Sequence, residues 1–394
     1  MIDTANELVA WVLALTDPTG VSAWVVWDLI VRNWALTAIC VTLAILVITP
    51  VLILHKYVKI SLNILKDTPP PLSRGPRDFV PLAGEEVEFR AFDGLTLRGA
   101  LYRANSDTIR RGMIIFAHEY ASDQSSCARY CRPLLEAGYD VFSFDFRGHG
   151  QSSHEPGYEP RQWASDRELS DMTGAIAYVE DWLEAHGYPV KLGIFGISRG
   201  AGAAILAAQN DPRIHALLVD GAFSTDTTIE HLMRRWAYIF AKVRFVYENH
   251  PPGFWRILRW CMIQKAQREL GVEFPSVRKA LMRMRPRPMF FIHGEKDSYI
   301  PVEQTLLLYA LSSQPKYKWI VPGAKHNQPV IVQPEQYASR TVAFFDRFLA
   351  DRPQAGGFFA EGVIAELAQP LAEPDRSRIK ETADVDVAAA VSEP

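Results

Sequence analysis

With 394 residues, 48% of them hydrophobic, the chain is long enough to bury one large core or two small ones. Lys and Arg number 42 against 45 Asp and Glu, so the net charge of -3 gives no reason to expect nucleic acid or another strongly charged partner. The four cysteines, Cys40, Cys127, Cys131 and Cys261, are too few and too scattered for a disulfide framework. Cys127 and Cys131 have no further ligands at zinc spacing, so all four are expected to be reduced packing residues.

The first long apolar run is WALTAICVTLAILVITPVLIL, residues 34–54, which carries no charge. A helix needs about 20 such residues to cross the hydrocarbon of a bilayer, so one transmembrane helix is expected. Residues 1–33 are apolar and Trp-rich but interrupted by Asp17, Pro18 and Asp28, and suit an interfacial segment better than a second span. Arg32 precedes the run, whereas Lys56, Lys59, Lys66, Arg74 and Arg77 follow it, so the C-terminal part is expected on the cytoplasmic side. Residues 55–80 include DTPPPLSRGP, an extended Pro-rich linker.

In EEVEFRAFDGLTLRGALYRA, alternating side chains flank Asp93-Gly94, the signature of a β-hairpin. Apolar runs near residues 113–117, 141–146, 190–195, 216–219, 288–292 and 319–321 then alternate with helical stretches. That pattern predicts an α/β fold, a mainly parallel central sheet flanked by helices, over residues 81–351. Between about 225 and 285 the sheet pattern lapses into basic, aromatic-rich helical segments, expected to form a cap. Arg234, Arg235, Lys242, Arg244, Arg256 and Arg259 alternate there with Trp236, Phe240, Phe254 and Trp260, which suits either an anionic lipid surface or a cap packed on the core. Residues 352–394 are rich in Ala, Glu, Asp and Pro and are expected to be disordered.

The segment KLGIF leads into Gly196-Ile197-Ser198-Arg199-Gly200 and then the small-residue stretch AGAAILAAQ. A G-x-S-x-G at a strand-to-helix turn lifts a serine hydroxyl above the sheet edge, and the glycines make room for the strained turn. Downstream, HGEKDSYIP places Asp297 after a strand, and PGAKHNQP places His326 after the next. Loops following parallel strands open at one edge of the sheet, so the three side chains can converge. Ser198 would be the nucleophile, His326 its general base and Asp297 the carboxylate orienting the histidine, with Asp220 in reserve. His118 and His149 read as turn-supporting residues, and Asp145 as the holder of the RGHG turn.

Together with DFRGHGQS at residues 145–152, these segments resemble the α/β-hydrolase superfamily over roughly residues 84–351. The N-terminal anchor, HGEKDSYIP, PGAKHN and the DGLTLRG hairpin are similar, more narrowly, to membrane-anchored serine hydrolases of the Bem46-like and serine aminopeptidase S33 types. The resemblance implies an oxyanion hole formed by the backbone N–H groups of Arg199 and Tyr120. The family usually has His-Gly where this chain has His118-Glu119. Glu119 then either faces solvent or an arginine, or recognises a cationic substrate group such as a free amine.

No metal-ligand spacing and no phosphate-binding glycine loop is found, so no cofactor and no metal are expected. The expected function is hydrolysis of an ester, thioester or amide through an acyl-enzyme on Ser198. The expected partners are a small acyl or peptide substrate and membrane lipid, not nucleic acid. An S33-like aminopeptidase, an acyltransferase and a non-catalytic binding protein on the same fold are the alternatives.

Overall fold

The computed structural model describes residues 27–28, 31–66, 79–104, 109–240 and 251–350. The expected linker at 67–76, the tail at 352–394, and Lys242 and Arg244 lie outside the described residues, as does most of the N-terminal segment. By compactness the chain divides into residues 1–63 and 64–394.

Helix α1 runs from Trp34 to Lys66, longer than the uncharged run. Lys56 and Lys59 end the uncharged stretch, but KYVKISLNILK contains no helix breaker, so the backbone continues. The stretch Trp34–Asn63 has a mean hydropathy of 2.7 over its most apolar window, and Leu36, Leu43, Leu46, Val47 and Leu52 are exposed. Apolar side chains shown to the surroundings over this length fit a single-pass membrane anchor. Pro50 lies inside the helix, where it removes one backbone hydrogen bond.

In the second unit, β1 (Glu85–Arg90) and β2 (Thr96–Tyr102) form the expected antiparallel hairpin, Arg90 pairing with Thr96. There follow β3 (Gly112–Ala117), α2 (Cys127–Glu136), β4 (Tyr139–Phe144), α3 (Asp166–Ala185), β5 (Leu192–Ile197), α4 (Arg199–Ala208) and β6 (Ile214–Asp220). Then come α5 (Thr225–Phe240), α6 (Pro252–Leu270), α7 (Val277–Arg283), β7 (Met289–Gly294), α8 (Val302–Leu311), β8 (Lys316–Val321), α9 (Pro329–Val332) and α10 (Pro334–Phe348). The strand order is β1-β2-β4-β3-β5-β6-β7-β8, and from β4 to β8 every pairing is parallel.

The side-chain period of two explains how one sheet supports two cores. Met113, Ile115 and Ala117 of β3 join the residues of α3, α4 and α7 on one face, including Ile176, Val179 and Ile205. Ile114 and Phe116 join α2 and α10 on the other, against Tyr130, Leu134 and Phe345. Each fully buried side chain of this size contributes about 1.5–3 kcal/mol. Because both faces are covered, the inner strands read as continuous apolar runs rather than alternating ones. The long connection from β6 to β7 carries α5, α6 and α7, within the stretch where a cap was expected.

Candidate active site

Ser198 sits between the last residue of β5 and the first of α4 with φ 52° and ψ -114°, a backbone conformation that L side chains rarely adopt. Two glycines make the turn possible by letting backbones touch. A Cβ at Gly200 would lie 2.2 Å from the Ala117 carbonyl oxygen, and one at Gly196 2.7 Å from the Ala201 Cα. The Ser198 N–H donates to the Asp220 carbonyl at 2.8 Å, which fastens the turn to the neighbouring strand.

The loops after β5, β7 and β8 open at the same sheet edge and bring the three predicted side chains together. Ser198 Oγ lies 2.9 Å from His326 Nε2, and His326 Nδ1 lies 2.6 Å from Asp297 Oδ2. Asp297 Oδ1 accepts the N–H groups of Tyr299 (3.0 Å) and Ile300 (2.8 Å). Burial opposes its ionisation, but the His326 charge and the hydrogen bonds of His293 and His326 hold its carboxyl well below the usual range. An ionised Asp297 requires the proton on His326 Nδ1, which leaves the Nε2 lone pair to accept the serine proton. Arg129 donates to the Asn327 carbonyl and so ties down the loop that carries His326.

Asp220, the reserve acid, does not reach the histidine. It is fully buried at the end of β6, where its Oδ2 accepts the Tyr337 hydroxyl at 2.9 Å. Asp145 holds its turn as expected, accepting the N–H groups of Gln124 (2.6 Å) and Gln151 (2.8 Å). His118 places Nδ1 2.7 Å from the Glu119 carbonyl and accepts the Phe146 N–H at Nε2, 3.2 Å away. Burial, with Arg199 nearby, pushes the His118 pKa down to about 3, and burial, Arg199 and His118 push that of His149 down to about 2. Both rings are therefore neutral spacers at physiological pH.

Of the expectations for Glu119, its burial removes the solvent-facing one, and Arg129 is the nearby arginine whose charge acts on it. Glu119 is 1% exposed, Ser126 donates to its Oε2 at 3.3 Å, and burial raises its pKa. The strand β3 ends beside the elbow, Ala117 pairing with Gly196, so the chain turns inward at 118–119 rather than outward. That pairing also sets Tyr120 in the loop next to Ser198. Arg199 opens α4, so its N–H has no acceptor one turn earlier in the helix.

Sequence reasoning overlooked two groups. The first is the Arg199 side chain, fully buried over the Phe146 and Tyr120 rings, with Nη1 3.2 Å from the Arg161 carbonyl. The second is His293, in the HGEKD segment. Its Nε2 lies 2.8 Å from the Ile300 carbonyl and 3.3 Å from Asp297 Oδ2, and its Nδ1 lies 2.8 Å from Thr305 Oγ1. Thr305 Oγ1 gives its single proton to the Ala222 carbonyl at 2.7 Å, so it can only accept from His293. Burial opposes a charge on His293, but the hydrogen bond to Asp297 and that carboxylate's charge raise its pKa. Among the described residues no group of three His, Cys, Asp or Glu has metal-binding geometry, and Cys127 and Cys131 are buried free thiols in α2.

The family model of serine aminopeptidase, S33, matches residues 108–248. The uncharacterised protein YfhR of Escherichia coli O157:H7 is 28% identical over 251 residues, covering 62% of this chain and 74% of its own. The protein bem46 of Schizosaccharomyces pombe is 26% identical over 273 residues, covering 66% and 78%. Among solved structures, the Pyrococcus furiosus esterase Pf2001 aligns with a TM-score of 0.51 and 23% identity over 72% of this chain and all of that one, a likeness of fold. Sheet order, elbow and relatives agree: the chain is a hydrolase with the α/β-hydrolase fold, similar to serine aminopeptidase, S33, and to protein bem46.

Proposed function

We propose that the protein is a serine hydrolase that cleaves an ester, thioester or amide through an acyl-enzyme on Ser198, acting on acyl or otherwise apolar substrates near a membrane. The carrying observation is the chain of contacts from Ser198 Oγ to His326 Nε2 and from His326 Nδ1 to Asp297. His326 takes the hydroxyl proton as Oγ attacks the carbonyl carbon, and Asp297 stabilises the imidazolium that forms. The backbone N–H groups of Tyr120 and Arg199 receive the developing oxyanion. His326 then returns the proton to the leaving group as its bond to carbon breaks, leaving Ser198 acylated. Water, deprotonated by His326, attacks the acyl carbon and restores the free serine.

Two related readings share this chemistry. The match to the serine aminopeptidase model favours a peptidase that releases N-terminal residues. An acyltransferase differs only in the acceptor that replaces water in the second half. The basic residues Lys56, Lys59 and Lys66 beyond the apolar run of α1 support a catalytic unit on the cytoplasmic side.

Labelling with a fluorophosphonate probe tests the proposal. The intact chain reacts and Ser198→Ala does not; folded wild type that fails to react favours a non-catalytic binding protein. Competing alcohols and aminopeptide substrates then separate transfer, ester cleavage and peptide cleavage. Protease added to sealed vesicles from the cytoplasmic side digests the catalytic unit, and protection from that side overturns the orientation.

A further inference from the structure

Between β6 and β7, the inserted helices line a basic cavity of about 540 Å³ that the proposed chemistry does not use. Its wall includes Glu230, His231 and Arg234 of α5, Arg256 and Arg259 of α6, and Arg278 of α7. Four guanidinium groups thus face a single lining carboxylate. Glu230 is shared, accepting Arg234 Nη2 at 2.8 Å and Arg259 Nη1 at 2.7 Å. Arg278 meets Asp226 only at 3.4 Å, beyond the usual length of a charge-assisted bond, and its buried Nε has no hydrogen-bond partner. Arg256 is exposed and forms no ion pair among the described residues. Even with Asp226 and Glu303 counted beside Glu230, the four guanidinium charges are not fully neutralised.

A surplus of that size in one concavity is electrostatically costly unless an anion enters. Guanidinium forks from three separate helices present several N–H donors each, a set that matches tetrahedral oxygen anions better than a single flat carboxylate. His231 supplies no further charge: burial lowers its pKa, Glu303 opposes this, and Arg235 and Arg234 lower it further. We propose that this cavity binds a phosphate group, either on a free anion or on the headgroup of an anionic lipid. The second source is at hand in a chain that carries a membrane-anchor helix, and Ile257 and Trp260 stand exposed on α6 beside Arg256.

The test is calorimetric titration of the full chain in nonionic detergent with inorganic phosphate, with dihexanoyl phosphatidic acid, and with dihexanoyl phosphatidylcholine as control. Saturable binding of inorganic phosphate or of phosphatidic acid, absent for the choline diester, is the expected result. Arg256→Gln and Arg278→Gln each weaken it about tenfold, the loss of one charge-assisted contact. Binding of inorganic phosphate identifies a free-anion site, and binding of phosphatidic acid alone identifies a headgroup site. Absence of saturable binding to both, or wild-type affinity in both variants, overturns the proposal. Circular dichroism confirms that the variants fold, and because the readout is binding, it stands apart from whether Ser198 is the nucleophile.

Discussion

His293 stands directly behind Asp297, its Nε2 3.3 Å from the same Oδ2 atom that meets His326 Nδ1 at 2.6 Å. The carboxylate proposed to orient the general base is therefore shared between two imidazoles. Burial alone would lower the His293 pKa, but the hydrogen bond to Asp297 and its charge overcome this and raise it. Replacement by glutamine keeps the ring's volume roughly but removes the charge. His293→Gln is expected to slow acylation of Ser198 by about tenfold, the equivalent of about 1.4 kcal/mol. A raised pKa also means that the stability it contributes is complete below the unfolded value near 6.5 and is lost as pH rises through the folded value. The variant should lack that alkaline decline. An unchanged acylation rate together with an unchanged decline would make His293 a neutral packing residue.

The elbow offers a steric prediction with an internal control. A Cβ at Gly200 meets a backbone carbonyl oxygen at 2.2 Å, whereas one at Gly202 meets the Ala164 side chain at 3.1 Å. Backbone atoms in paired strands cannot withdraw as a methyl group can. Gly200→Ala should cost about 1–3 kcal/mol or more and abolish probe labelling, while Gly202→Ala should retain both fold and labelling. Thermal melting and labelling of the pair decide it. Equal tolerance would show that the strand-to-helix contact is looser than described.

Arg147 and Asp171 form a buried pair with three hydrogen bonds, from the Arg147 backbone N–H (2.9 Å), Nε (2.9 Å) and Nη2 (2.6 Å). Both side chains are at most 1% exposed. Asp171→Ala leaves a guanidinium buried with its other carboxylates, Glu155 and Asp93, nearer solvent, and should cost about 3–5 kcal/mol in chemical denaturation. A loss below about 1 kcal/mol would mean those two carboxylates carry the charge by themselves.

Glu119 separates two enzymatic readings. Its carboxyl is buried and its pKa is raised, so the stability belonging to the protonated acid is present below the unfolded value and is lost as pH rises through the folded one. Glu119→Gln escapes that loss, and the variant should gain stability over wild type as pH is raised from 5 to 8. Because the side chain is withdrawn from solvent, the ratio of aminopeptide to ester cleavage should not change. A collapse of that ratio would establish amine recognition by Glu119.

Much of this architecture was legible because its signals are local. Strand runs, the Asp93-Gly94 hairpin and the order Ser198, Asp297, His326 follow from periodicity, turn chemistry and the shared edge of parallel strands. The direction of Glu119 was not legible, since it depends on β3 ending level with Gly196, a relation set by pairing between distant segments. His293 escaped notice for a similar reason. Its ring reaches Thr305 and Ile300, which come from a different helix and a different loop. The length of α1 was understated because charge ends an apolar run without ending a helix.

The end of β6 touches both partners of the proposed proton transfer. Its last carbonyl, at Asp220, holds the Ser198 N–H, and the next residue, Gly221, abuts the His326 ring. A displacement of that strand end would therefore be felt at the nucleophile and at the base together, so a substitution that shifts β6 reaches the hydroxyl and the imidazole through one point of contact.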